Sequence, residues 1–166
     1  GITSPAEALT YAEQRLTERK YLSLGGWGGY VIVGFDHSIA NTGGDDFSVA
    51  GNMFTDSSEA GIVWVMQDTN GNGLPDDEWY ELRGSEGGSD RHCRNISVTY
   101  FRPTSPDSAV QWRASDGTSG SIAHNSSHTQ PYYYPLWIAE QSYTLYGSRL
   151  APKTSVNPST GNQVNE

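Results

Sequence analysis

The strongest constraint on the fold is a period of two. Runs in which apolar and β-branched residues alternate recur from residue 30 onward: "YVIVGF" (30–35), "FSVAGN" (47–52), "GIVWVMQ" (61–67), "EWYELRG" (78–84) and "ISVTYFR" (96–102). "AVQWRA" (109–114), "GSIAH" (120–124) and "SYTLYGS" (142–148) are shorter candidates. Successive side chains of a strand point to opposite faces, so this period predicts strands with one face buried. The segments between them, such as "NTGGDD", "SEGGSD" and "SDGTSG", are rich in residues that favour turns. Short strands punctuated in this way predict a mainly β chain folded as an antiparallel β-sandwich, and the long links favour a jelly-roll crossing between sheets.

One segment departs from this period. "SPAEALTYAEQRLTER" reads as an N-terminal helix over about 5–19. Ser4 caps it, Pro5 suits the first helical position and Glu7 completes a capping box. Leu9, Ala12 and Leu16 form an apolar stripe, so a packing helix is expected. The 166 residues suit a single domain over 1–150, followed by an extended or mobile tail over 151–166 that has no apolar periodicity.

The net charge of −9 argues against nucleic acid and anionic membrane surfaces as partners. Only 17% of residues are charged, and Gly, Ser, Thr, Asn and Tyr are abundant, a balance that suits a loop-rich extracellular β protein. No apolar run is long enough to cross a bilayer, and no signal peptide is recognisable. Cys93 is the single cysteine, so no disulfide within the chain is possible and a buried thiol is expected.

The densest chemical signal is "DTNGNGLPDDEW" (68–79). Calcium takes six to eight oxygen ligands, and loops that bind it place side-chain oxygens at positions 1, 3 and 5, glycine at 6 and a backbone carbonyl at 7. Asp68, Asn70, Asn72, Gly73 and Leu74 fill those places in order, and Asp76 stands at position 9. Position 12 is Trp79 rather than a glutamate, so a last ligand must come from Asp77, Glu78 or elsewhere. The expectation is a structural Ca2+ held by Asp68, Asn70, Asn72, Leu74 and Asp76. The competing reading is a hairpin turn, which "NG" and "PDD" also signal.

Other candidates are weaker. "HTQPYYYPLW" (128–137) concentrates Tyr132, Tyr133, Tyr134 and Trp137 between prolines, and Trp27 lies among glycines in "GGWGGY". Such rings offer rigid stacking surfaces for sugars or flat ligands, though some must fill the core. Asp36, His37, Asn41, Asp45 and Asp46 suggest either a second cation site or side-chain-capped turns. His124 and His128 could share zinc only with a third ligand that the sequence does not supply. No "GxSxG" or cysteine motif signals a nucleophile. Glu59, Glu78, Glu81 and Glu86 could serve a glycosidase only if folding paired two of them across a cleft.

"LGGWGGYVIVGFDHSI", "DFSVAGNMF", "SSEAGIVWVMQDTNGNGLPDDEWYELRGSE" and "YPLWI" together resemble a family of Bacteroidetes cell-surface proteins, often lipoproteins. The resemblance runs from about Thr3 to Leu150 and is strongest from Ser57 to Glu86. It implies a galactose-binding-like jelly roll, a place on the extracellular face of the outer membrane or in secretion, and further strands beyond this segment. Some relatives are associated with vitamin B12 uptake, which makes a corrinoid or an outer-membrane transporter a possible partner. No catalytic residues follow from it. The leading expectation is a non-catalytic, calcium-stabilised domain that binds a glycan. A cobalamin or nutrient-capture accessory is the alternative, and a glycan-active hydrolase or lyase the second.

Overall fold

The computed structural model describes residues 1–54, 57–125, 128, 130–151, 154–156 and 163–165. It is mainly β, with antiparallel sheets and one helix, an architecture consistent with a β-sandwich. The elements are α1 (Pro5–Thr17), β1 (Met53–Phe54), β2 (Ser57–Ser58), β3 (Trp64–Met66), β4 (Trp79–Glu81), β5 (His92–Phe101), β6 (Val110–Ala114), β7 (Ser119–Ile122), β8 (Ser142–Leu150), β9 (Thr154–Val156) and β10 (Gln163–Asn165). The chain divides into two compact units, one of residues 1–29 and 94–149, the other of residues 30–93 and 150–166.

The first unit holds the core. Strands β5, β6 and β7 follow one another through hairpins, and β8 returns to lie on the other side of β5, giving the order β7-β6-β5-β8. Arg102 N–H donates to Gln141 O (2.8 Å), and the Thr99 and Thr144 hydroxyls meet at 2.8 Å, so β8 runs antiparallel to β5. This is the Greek-key order, in which the fourth strand returns beside the first. The β6–β7 turn has Gly117 at φ 88°, with Gly117 N–H on Ala114 O and Ala114 N–H on Thr118 O. A left-handed residue there is what a short hairpin with a bulge needs.

Alternation along β5 buries Ile96, Val98 and Tyr100. Val98 pairs with Ala114 and Tyr100 with Trp112 across the ladder. Val110 (1% exposed) and Tyr134 (2%) complete the central cluster, with Trp27, Trp112, Ile122, Tyr133, Ile138, Tyr143 and Leu145 packed around it. Gly120 lies opposite Trp112, where an added Cβ would stand 2.9 Å from the indole ring. The glycine therefore lets the ring lie flat on β7.

Helix α1 has the expected cap: Ser4 Oγ accepts from Glu7 N–H (3.3 Å). Glu7 reaches back one residue further than a standard capping box, accepting from the backbone N–H (2.7 Å) and hydroxyl (2.9 Å) of Thr3. Those bonds hold the Glu7 carboxyl below its usual pKa. The expectation of a packing helix is corrected. Leu9 and Leu16 are exposed and no residue of α1 is buried, so caps and local bonds define the helix.

In the second unit the ladders are short. β3 pairs with β4 (Val65 opposite Tyr80), β1 with β2, and β9 with β10. Two expected strands are corrected: residues 30–35 and 47–52 form none, because no segment among the described residues supplies a ladder for them. In the tail, expected to be extended or mobile, residues 154–156 and 163–165 pair as antiparallel strands, while 152–153, 157–162 and 166 lie outside the described residues. At the start of β5, the His92 imidazole lies 2.8 Å from the Glu81 carboxylate, and both side chains are more than nine-tenths buried. Cys93 is half-buried.

Two outcomes follow from the core. Tyr134→Ala removes a buried ring whose hydroxyl donates to Glu140 O (2.9 Å), and urea unfolding should show a loss of about 4 kcal/mol. Burial pushes the Tyr143 phenol up to about 12, aided by Tyr134, and burial also raises Tyr100, aided by Tyr143. Unfolded tyrosines ionise near pH 10, roughly. The stabilisation from these two rings is therefore complete below about pH 10 and is lost as the pH rises from there toward 12. An ultraviolet phenolate titration should show two tyrosines ionising late, together with unfolding.

Candidate metal centre and aromatic surface

The hairpin β3–β4 fixes the two ends of the loop 67–78, and the sequence of the loop dictates its interior. The Asp68 carboxylate accepts from three successive backbone N–H groups, those of Gly71 (2.7 Å), Asn72 (3.2 Å) and Gly73 (2.9 Å). Asn70 Oδ1 accepts from Asn72 N–H (3.0 Å), and Asn72 Oδ1 from Leu74 N–H (2.7 Å). Gly71 (φ 70°) and Gly73 (φ 72°) take the left-handed conformation that lets the chain curl round these oxygens. Asp76 closes the ring, accepting from Asn72 Nδ2 (3.1 and 3.3 Å) and Asn70 Nδ2 (3.5 Å). The structure thus brings Asp68, Asn70, Asn72, Leu74 and Asp76 into one hydrogen-bonded turn.

The proposed last ligands have other work. Asp77 accepts from the N–H and hydroxyl of Thr69 and ties the neck of the loop. Glu78 accepts from the Tyr80 hydroxyl (2.6 Å), which raises that phenol above its ordinary range. Trp79 donates its indole N–H to Pro75 O (3.3 Å).

The donor set is entirely oxygen, which suits a hard cation. Among the described residues no three His, Cys, Asp or Glu side chains are placed to hold a metal. The loop offers two carboxylates, Asp68 and Asp76, and the amide oxygens of Asn70 and Asn72. Each Asn carbonyl bonded to one N–H keeps a second lone pair. An ion bound at Asp76 would displace the three bonds that Asn70 and Asn72 donate to it.

The aromatic candidates separate. Tyr134 is a core residue and offers no surface. Tyr133 packs against the core, and its hydroxyl accepts from Asn125 N–H (2.9 Å) and meets His128 Nδ1 (2.7 Å). The rings of His124 and His128 flank it at 5.6 and 5.9 Å, so a tyrosine that no sequence motif links to them organises both histidines. Trp27 is half-buried against Trp112 (4.5 Å between rings), with the Arg149 guanidinium 3.1 Å from its ring centre. Arg149 also meets Asp116 at 3.0 Å. The bonds that Asp116 accepts from the Thr118 hydroxyl and N–H, with a smaller part from Arg149, keep its carboxyl below its ordinary pKa. Tyr132 is half-buried and Trp137 exposed, so these two remain the accessible rings of the set.

At the suggested second cation site, the bonds are those of capped turns. Asn41 Oδ1 accepts from Gly43 N–H (3.2 Å), and Asp46 accepts from the hydroxyl and N–H of Thr42, which lower its pKa. His37 Nδ1 lies 2.6 Å from Asp36. The Glu81–His92 pair was not visible in the sequence, because nothing local marks two residues eleven apart as buried partners.

No family model matches the chain, and no curated protein matches it. Among the described residues no helix is long and apolar enough to cross a membrane.

Removing the Asp68 side chain deprives the Gly71 and Gly73 amides of their acceptor, while Asn72 N–H keeps Asn70 Oδ1. In Asp68→Ala, hydrogen exchange at Gly71 and Gly73 should accelerate about tenfold, while the amides of β5 and β6 keep their rates.

Proposed function

We propose that the chain is a non-catalytic, extracellular ligand-binding domain whose β3–β4 loop is locked by Ca2+. The observation that carries this reading is the turn of oxygens from Asp68 to Asp76, curled by two left-handed glycines and closed by Asp76. Bound calcium would hold Asp68, Asn70, Asn72, Asp76 and the Leu74 carbonyl round one point, and its binding free energy would add to the stability of a hairpin with short strands. The Greek-key order of β5 to β8 supports a jelly-roll or galactose-binding-like sandwich, since a jelly roll is built of two such keys. The ligand is a glycan, stacked on Tyr132 and Trp137. The resemblance to Bacteroidetes surface proteins supports a place on the outer face of the cell, beside a transporter.

A thermal melt tests the ion. Relative to protein in EDTA, calcium at about a hundredfold its Kd should raise Tm by about 5–10 °C, and Asp68→Ala should abolish the rise. No shift, with no metal found by elemental analysis, would sink the calcium site. Affinity electrophoresis with calcium present tests the ligand. A glycan binder is retarded without altering the polysaccharide, and Trp137→Ala reduces the retardation. Release of reducing ends would instead make the chain an enzyme. Coloured protein with quenched tryptophan after adding cobalamin would make it a corrinoid binder.

A further inference from the structure

Between Lys20 and Arg83 the sequence contains no lysine and no arginine, yet it contains ten aspartates and glutamates. That stretch alone carries −10, against −9 for the whole chain, so the remainder is close to neutral. Within it, Phe35, Ile39 and Phe47 line a concavity of about 520 Å3 together with His37, Asp45 and Asp46. The rings are well exposed, Phe35 at 62% and Phe47 at 40%. Asp46 is held in place by Thr42, while Asp45 makes no hydrogen bond among the described residues.

The segment leading into this concavity is unusual in the same way. Tyr30, Ile32 and Val33 are exposed, and the backbone of residues 30–35 makes no hydrogen bond among the described residues. A β-branched, aromatic run whose backbone N–H and C=O groups have no partner among the described residues can form a ladder with an extended partner, although it is not itself the edge of a sheet.

The geometry points to a docking surface here for a basic, extended polypeptide segment in which lysines or arginines alternate with apolar residues. Charge complementarity selects that occupant. A second copy would bring one −10 stretch against another, and nucleic acid is repelled outright. A bare hard cation gains nothing from phenylalanine walls. A lysine or arginine side chain lays its apolar stem on Phe35 and Phe47, stacks its cation on a ring and reaches Asp45 and Asp46 with its head. The alternate apolar side chains meet Tyr30 and Ile32, which an extended backbone places on one face, while the partner backbone pairs with residues 30–35.

Fluorescence anisotropy of a short labelled peptide of alternating lysine and valine, titrated with the full chain, tests this. The peptide should bind, and high salt should weaken it. Replacing its lysines with glutamate or its valines with serine should abolish most of the affinity. Phe35→Ser and Asp45→Lys in the protein should each weaken binding roughly tenfold. Glu13→Lys on α1, which changes net charge equally, should not. Asp45→Lys alters an exposed side chain, so with an unchanged circular dichroism spectrum it decides the matter even if Phe35→Ser unfolds. No binding by the lysine–valine peptide overturns the proposal. Equal binding of the lysine–serine peptide, or equal loss in Glu13→Lys, reduces the effect to net charge and overturns it too. Self-association of the protein that Phe35→Ser abolishes would assign the face to a second copy and overturn the proposal as well.

Discussion

The side-chain alternation of β5 is the constraint from which the ordered core follows. It places Ile96, Val98 and Tyr100 on one face, and the ladder then sets Trp112 opposite Tyr100. Tyr100 joins three parts of the chain. Its ring packs at 5.3 Å from Tyr143 of β8, and its hydroxyl donates to Trp27 O (2.7 Å), which fastens the segment after α1 to the sheet. Rings of this size bury about 150–250 Å2 each, and at about 25 cal/mol per Å2 each contributes several kcal/mol. A one-residue slip of β5 would turn all of these outward, which is why the register is so well specified.

Residues 30–93 obey a different rule. None of their described side chains belongs to the buried hydrophobic set. Order there comes from local bonds: Asx-type turns in 41–46 and 68–74, the Thr69–Asp77 neck, and the paired Glu81 and His92. Side-chain oxygens caught by nearby N–H groups hold a shape without burying apolar area. Such bonds contribute about 1 kcal/mol each, so a hairpin built from them gains more from a bound ion than a packed sheet would.

This difference explains what the sequence made legible. The strands β5, β6 and β7 were readable because alternation and a glycine turn are local signals that tertiary packing then reinforced. The oxygen turn was readable because its spacing is local as well. Residues 30–35 and 47–52 carry the same strand pattern, yet a strand exists only if another segment pairs with it, and pairing is not written in the segment itself. The aromatic stretch misled for a related reason. Tyr132, Tyr133 and Tyr134 are neighbours in sequence, but neighbouring side chains face different ways, so one is core, one props two histidines and one stays accessible. Trp27 between glycines resembled a free ring until Arg149 and Trp112 were seen to cover it.

The two acidic loops differ in what they can select. In 68–76 the Asp and Asn oxygens are turned toward one another and toward backbone N–H groups of the same loop. That environment replaces a hydration shell, and it rewards a small hard ion that tolerates many oxygen ligands. In 35–47 the carboxylates stand beside two phenylalanine faces, and the Thr42 bonds already satisfy much of Asp46. There an ion that keeps its water gains little, whereas an organic cation loses little hydration along its stem and gains the ring face. Net charge alone would draw both kinds of cation to either loop. The phenylalanine faces beside Asp45 and Asp46, set against the converging oxygens of 68–76, are why we propose a basic side chain for one loop and calcium for the other.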